Sequence, residues 1–153
     1  MTIESERLLF SPLSNGEMEA LISGEQDPGL RQAYTEMLQG SLREPDKRIW
    51  YAVWTIVRKD SPGVVIGDFC FKGLNPDGMV ELGYGLREGF CGKGYMTETV
   101  KAVAAWALAQ KGVTRVEAET APDNLPSQKV LAAAGFRPTG VWGEEGPRFL
   151  YCT

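Results

Sequence analysis

The chain contains no histidine. That absence removes every Ser-His-Asp and Cys-His nucleophilic mechanism and any histidine-ligated metal site, since each needs an imidazole. Cysteine is scarce: Cys70, Cys91 and Cys152 are odd in number and have no close pair. A disulfide framework or a cysteine-type zinc site does not fit this spacing, whereas reduced thiols in a cytoplasm do. No apolar run approaches the ~20 residues of a membrane span. The stretch from Met1 to Arg7 is polar and lacks the apolar core of a signal peptide. The expected setting is cytoplasmic, with no membrane partner. There is no basic excess either: 16 Lys and Arg stand against 20 Asp and Glu, a net charge of −4. That argues against nonspecific nucleic-acid binding, which needs a basic face. An acidic balance favours cationic substrates such as amines, but a charge this small decides nothing. Internal repeats, low-complexity tracts and linkers are missing, and 153 residues suit one domain over 1–153 with a sizeable core.

What is abundant is glycine around one turn. From Arg87 to Glu98 the chain reads Arg-Glu-Gly-Phe-Cys-Gly-Lys-Gly-Tyr-Met-Thr-Glu. Gly89, Gly92 and Gly94 free the backbone and let a ligand approach the main chain. The preceding Val80–Leu86 reads as a strand and the following Thr97–Gln110 as a helix. A glycine-rich turn between them points several free N–H groups one way, and the helix dipole adds partial positive charge there. Phosphate is the natural guest; a tight turn with no ligand is the plain alternative. A P-loop is excluded, because Gly94 follows Lys93 where Ser or Thr is required and no glycine stands five residues before Gly92. The dinucleotide fingerprint fails as well, with Thr97 in place of its third glycine and the turn lying past mid-chain.

The remaining chain reads as alternating short elements. Glu6–Leu13 forms a first strand ended near Pro12. Ser14 or Asn15 caps a helix carrying Met18, Leu21 and Ile22 at helical spacing. After a break at Gly24–Pro28, Leu30–Leu42 forms a second helix with Leu30, Tyr34, Met37 and Leu38 on one side. Trp50–Val57, Val64–Phe71 and Met79–Leu86 are strands joined by short turns, which suggests an antiparallel meander. The helix after the glycine turn shows an apolar stripe of Val100, Val103, Ala104, Ala107 and Leu108, and Gly112 ends it. Thr114–Thr120 is a fifth strand, Ser127–Ala134 a short helix, and Phe136–Trp142 with Arg148–Tyr151 two closing strands.

The glycine turn resembles the pyrophosphate loop of the GNAT superfamily, the acetyl-CoA-dependent N-acyltransferases. That family's Gln/Arg-x-x-Gly-x-Gly/Ala pattern maps onto Cys91-Gly92-Lys93-Gly94-Tyr95-Met96, departing at Cys91 and at Met96. The Gly-Lys-Gly-Tyr-Met-Thr-Glu wording is similar to the RimJ/RimL branch, which acetylates ribosomal-protein N-termini. A second match lies downstream, where Asn124-Leu-Pro-Ser127, Leu131 and Gly135-Phe136 resemble that branch's Asn-x-x-Ser…Gly-Phe segment. The Glu6–Leu13 opening is similar more loosely. The resemblance implies an α/β (α+β) fold: a mixed, mostly antiparallel sheet of six to seven strands, splayed between strands 4 and 5, with about four flanking helices. It implies acetyl-CoA as co-substrate and no metal. Tyr84, Gly85 and Leu86 would bond pantetheine. Gly92, Lys93, Gly94, Tyr95, Met96 and Thr97 would hold the pyrophosphate. Asn124 and Ser127 would meet the pantetheine end, and Lys129 or Arg137 the adenosine phosphates, unless both are solvated surface charges.

Acetyl transfer to an amine requires a proton to leave the ammonium, whose pKa is ~10 for a lysine and ~8 for an N-terminus. Glu81 is the expected base. Strand alternation places it with Gly83 and Gly85, opposite Leu82, Tyr84 and Leu86, and partial burial would raise its pKa. A salt-bridged strand-edge glutamate is the alternative. The departing thiolate needs a proton. The family's tyrosine position holds Leu131, so the resemblance passes the acid role to Ser127, which could equally be a helix N-cap. Cys91 is rejected as a nucleophile: no histidine exists to activate it, and although a helix N-terminus can lower a thiol pKa, the resemblance implies direct transfer in a ternary complex. The expected function is N-acetyl transfer to a protein N-terminus or a small amine by direct attack in a ternary complex. The rival is a noncatalytic acyl-CoA sensor or partner-binding module. Trp50, Tyr51 and Trp142 could line an acceptor site, with core or rim packing as the default for aromatics. An exposed closing strand could pair across a homodimer.

Overall fold

The computed structural model describes residues 1–152. A two-residue strand β1 (Ile3–Glu4) pairs antiparallel with β2 (Leu8–Pro12). Two helices follow, α1 (Asn15–Gly24) and α2 (Pro28–Arg43). Ser14 caps α1 in a capping box with Glu17, and Asp27 caps α2, so each helix start is fixed by its own sequence. A 3-10 segment (Pro45–Trp50) leads into β3 (Trp54–Arg58) and β4 (Ser61–Cys70). Trp50 therefore lies before the strand that was expected to begin with it. Its ring packs on Phe71 and Trp106, which Trp54 also meets, in an aromatic cluster with paired centroids 5.0–6.0 Å apart.

The expected fourth strand is two strands. β5 (Met79–Glu81) runs parallel to β7 (Arg115–Glu119), and β6 (Gly83–Leu86) runs antiparallel to β4. Leu82 is the divide, with its N–H still bonded to Glu117 O at 2.8 Å. Beyond it the chain changes partner, because Gly83 and Gly85 lie opposite Cys70 and Asp68. Gly67 lets the two backbones close, since a Cβ there would sit 2.5 Å from Gly85 O. The result is a five-stranded sheet, β1-β2-β3-β4-β6, and a four-stranded sheet, β5-β7-β9-β8. The latter is completed by β8 (Phe136–Trp142) and β9 (Pro147–Tyr151). The expected mixed, mostly antiparallel, splayed sheet is present. The strand count exceeds six to seven because β1 adds one and the fourth divides.

α3 (Tyr95–Leu108) begins two residues earlier than expected, and α4 (Leu125–Ala133) begins before Ser127 rather than at it. The apolar face of α3, with Val100, Val103, Ala104 and Ala107 fully buried, packs with Phe69, Phe71, Val80 and Leu82 in the main core. A second, smaller core of Met18, Tyr34, Ala52 and Val53 lies under α1 and α2. No helix among the described residues is long and apolar enough to cross a membrane. Replacing Phe71, which is fully buried among these rings, with Ala should cost about 3–5 kcal/mol of stability. Urea unfolding followed by circular dichroism measures it as a lower midpoint at an unchanged slope.

Candidate functional site

Where the two sheets part, β6 has a hydrogen-bonding partner on one side only, β4. Its other edge faces the start of α4 across a cavity of about 630 Å³. The walls are Tyr84, Gly85 and Leu86 from β6, Cys91, Gly92 and Gly94 from the turn, Tyr95, Met96 and Thr97 from α3, and Asn124, Pro126, Ser127 and Val130 around α4. An open strand edge offers backbone groups to an amide-bearing chain.

The turn is shaped for an anion. Gly92 and Gly94 have φ of 79° and 78°, the left-handed region in which a side chain is strained. Gly94 is the N-cap of α3, and no side chain caps that helix. Its first N–H groups thus remain available to a ligand at the positive end of the dipole. An ion-pair clamp holds the turn in place. Arg7 Nε donates to Glu98 Oε1 at 2.7 Å, and the Arg7 N–H and the Ser5 hydroxyl donate to Glu98 Oε2. A second Arg7 nitrogen donates to Lys93 O at 3.1 Å, and the guanidinium lies 4.5 Å over the Tyr95 ring. Burial alone would raise the Glu98 pKa, but these bonds outweigh it and hold the carboxyl below its ordinary value.

On the opposite wall, Asn124 caps α4 by accepting from Ser127 N at 3.2 Å. Ser127 is therefore not the cap, as one reading of the sequence had it. Its hydroxyl is left to share a 2.7 Å hydrogen bond with the Tyr84 hydroxyl, which spans the cleft from β6 to α4. Burial raises the Tyr84 pKa against the opposing bond to Ser127, so the phenol stays protonated at neutral pH.

Glu81 lies outside this cleft. Its Oε2 accepts from Lys72 at 2.8 Å and its Oε1 pairs with Arg148 at 2.9 Å. Arg148 also binds Glu117 at 3.0 Å and Glu119 at 2.7 Å. Burial pushes the Glu81 carboxyl up, but Lys72 and Arg148 together outweigh it, and the net shift is downward. The expected upward shift is thus overturned: the sequence could not show that two cations converge on this carboxylate.

Residues 7–137 match the family described as the acetyltransferase (GNAT) domain. This chain belongs to the GNAT family. It is similar to the uncharacterized N-acetyltransferase YjdG of Bacillus subtilis (strain 168), 36% identical over 83 residues, covering 54% of this chain and 49% of YjdG. It is similar also to the uncharacterized N-acetyltransferase p20 of Bacillus licheniformis, 32% identical over 78 residues, covering 50% of this chain and 44% of p20. The chain spans about half the length of these curated relatives in those matches. Among solved structures, an acetyltransferase of Agrobacterium tumefaciens str. C58 superimposes with a TM-score of 0.76 at 19% identity, over 100% of this chain and 95% of that one. RimL, a ribosomal L7/L12 alpha-N-protein acetyltransferase solved with coenzyme A, gives 0.73 at 18% identity over 99% and 96%. At such identities the structural likeness establishes the fold.

In this GNAT domain the cleft brings together Tyr84, Gly85, Leu86, Gly92, Gly94, Tyr95, Met96, Thr97, Asn124 and Ser127. Lys93 is exposed and meets Arg7 only through its carbonyl. Lys129 and Arg137 are exposed and do not line the cleft. Leu131 is fully buried in the core. Sequence reading missed the Arg7–Glu98 clamp, the side-chain role of Tyr84 and the cations around Glu81. It also passed over Asp68, although a lone carboxylate in the apolar run Val64–Phe71 was a visible signal.

The ionised Glu81 stabilises the fold above its ordinary pKa of 4.5, and that contribution is lost as pH falls through the lower folded value. Glu81→Gln should therefore lower the unfolding midpoint at pH 7. Thermal melts across pH should show the gap to wild type closing as the pH falls below the ordinary 4.5 and through the lower folded value.

Proposed function

We propose that this GNAT domain transfers an acetyl group from acetyl-CoA to a primary amine by direct attack. The observation that carries the reading is the pairing, across one cleft, of the open β6 edge with the uncapped N-terminus of α3. An extended pantetheine arm needs amide partners along its length and an anion site at its far end. Gly83–Leu86 would supply the first, and the N–H groups from Gly92 to Thr97 the second. The coenzyme A complex of RimL supports acetyl-CoA as the acetyl donor. The cleft volume of about 630 Å³ falls within the ~300–1,000 Å³ of small-molecule sites.

The chain's own groups would then work chiefly by placing the reactants and by stabilising developing charge. The open edge of β6 would orient the donor's carbonyl. The Tyr84–Ser127 hydroxyl pair lies across the cleft at the end remote from the glycine turn, and we assign it the return of a proton to the thiolate. With Tyr84 held as a neutral phenol by burial, Ser127 can receive a proton from it as it gives one up, which a solitary serine cannot do. Glu81, pinned between Lys72 and Arg148, is proposed to act on the amine through its field and through water.

Titration calorimetry with acetyl-CoA tests the reading. Wild type should bind in the micromolar range. Gly94→Glu should weaken binding at least tenfold, because it puts a carboxylate at the anion site and a side chain at φ 78°. Folding of the variant is checked by circular dichroism. No detectable binding by folded wild type, freed of copurified ligand, overturns the proposal.

A further inference from the structure

Tyr84 lines two cavities besides the cleft. One, about 310 Å³, holds Lys72, Glu119, Glu145 and Ser127. Its Glu119 is already engaged, with Arg148 at 2.7 Å and with the Glu145 N–H at 2.8 Å, as is the adjoining Glu81 with Lys72 and Arg148, and Glu145 is exposed to solvent. The other, about 190 Å³, lies beneath α2. Leu30, Met37, Val53 and Phe69 make it apolar, and Asp68 is its one charged group. Asp68 has no ion-pair partner among the described residues; its Oδ2 accepts only the Tyr34 hydroxyl, at 2.8 Å.

Asp68 and Gly85 are cross-strand partners, as are Cys70 and Gly83, so all four share the α2 face of the sheet. A Cβ at Gly85 would meet nothing within 4 Å. The floor beside Asp68 is therefore open at Gly85, whereas Gly83 is covered by the Lys72 side chain and Cys70. Arg87, which lines a neighbouring cavity with Asp68, acts on it only through space, so this carboxylate among apolar side chains has no cation in direct contact and gains from one that arrives from outside. Leu30, 40% exposed at the rim, leaves apolar surface for the ligand's body. The volume, below the ~300 Å³ of drug-sized sites, suits a small molecule.

Resting on the acetyl-transfer reading above, we propose that the acceptor is a small primary amine with an apolar body, seated beneath α2 with its ammonium on Asp68, and that Asp68 accepts the proton that frees it. The ammonium N–H bond breaks toward Asp68, making a carboxylic acid. The freed nitrogen lone pair forms the N–C bond to the acetyl carbonyl, and the C–S bond breaks with its electrons on sulfur. Ser127 gives the thiolate its proton and is refilled by Tyr84, the second proton lost by nitrogen restores Tyr84, and Asp68 returns its proton to water. The products are the N-acetylamine, the free thiol and one proton.

The groups facing Asp68 are consistent with this use. Burial raises its pKa, the Tyr34 hydroxyl and the Arg87 charge oppose the rise, and Glu25 adds to it. Tyr34 is a positioning residue: buried, and itself pushed to a higher pKa, it remains a donor.

The test is steady-state acetylation of 2-phenylethylamine and hexylamine, with 1,4-diaminobutane and a serine-initiated tetrapeptide for comparison. Wild type should favour the two apolar amines at least tenfold in kcat/KM. Asp68→Asn should lower kcat/KM for them about a hundredfold or more, abolish the acidic limb of its pH profile, and leave the acetyl-CoA Kd within twofold. Tyr34→Phe, which keeps the ring and loses the bond that favours ionised Asp68, should move that limb to higher pH. Preference for the diamine or the peptide overturns the acceptor class. An unaltered acidic limb in Asp68→Asn overturns the proton role. Acetyl-CoA binding with no turnover of either apolar amine overturns this inference while sparing the donor site. Failure to bind acetyl-CoA overturns the donor site itself.

Discussion

A strand in the middle of a sheet ordinarily keeps both neighbours, because unpaired backbone groups are costly to bury. Here one chain segment gives up a neighbour halfway along. Up to Leu82 it belongs to the sheet of β7; from Gly83 it belongs to the sheet of β4. The bared edge of β6 cannot be satisfied by β7, which has turned toward β9. Everything of functional interest is arranged around that edge. The glycine turn leaves its end, α4 closes the opposite side, and the floor beneath α2 lies on its other face.

Two kinds of electrostatic arrangement flank the opening, and they differ in whether charge is already balanced. The Lys72–Glu81–Arg148–Glu119 network is internally matched, with both Glu81 oxygens engaged. Such a network joins β5, β7 and β9 and fixes their register more readily than it binds a ligand. At the N-terminus of α3 no side chain caps the positive end, and at Asp68 no cation makes a direct ion pair among the described residues. Those are the places where an anionic phosphate and a cationic amine gain most from binding. On the proposed reading the two partners would meet at β6 from separate cavities, the cleft and the pocket beneath α2.

The Arg7–Glu98 clamp illustrates how distant sequence supports the site. A glycine-rich turn carries a large conformational entropy when free. Ser5 and Arg7, from the turn between β1 and β2, restrain it through one glutamate in the first turn of α3. A carboxylate in the first turn also suits the positive end of the helix.

Much was legible before any coordinates, and for local reasons. Glycine at 92 and 94, an apolar stripe of period 3.6 on α3, alternating strands and the Asn124-x-x-Ser127 spacing are short-range signals. A short-range signal survives in the sequence because neighbouring residues alone produce it. Those signals gave the order of elements, the phosphate-suited turn and the residues of the cleft. Helix starts at Tyr95 and Leu125 were misplaced by two residues because Gly94 in the left-handed region and Asn124 as cap extend each helix backward. What the sequence could not determine was partnership across long separations. That Glu81 meets Arg148, that Tyr84 meets Ser127, and that Asp68 meets Tyr34 are consequences of packing. Each pair is joined through space by elements far apart in the chain, and it is their burial and pairing, rather than residue type, that set the charge each group carries.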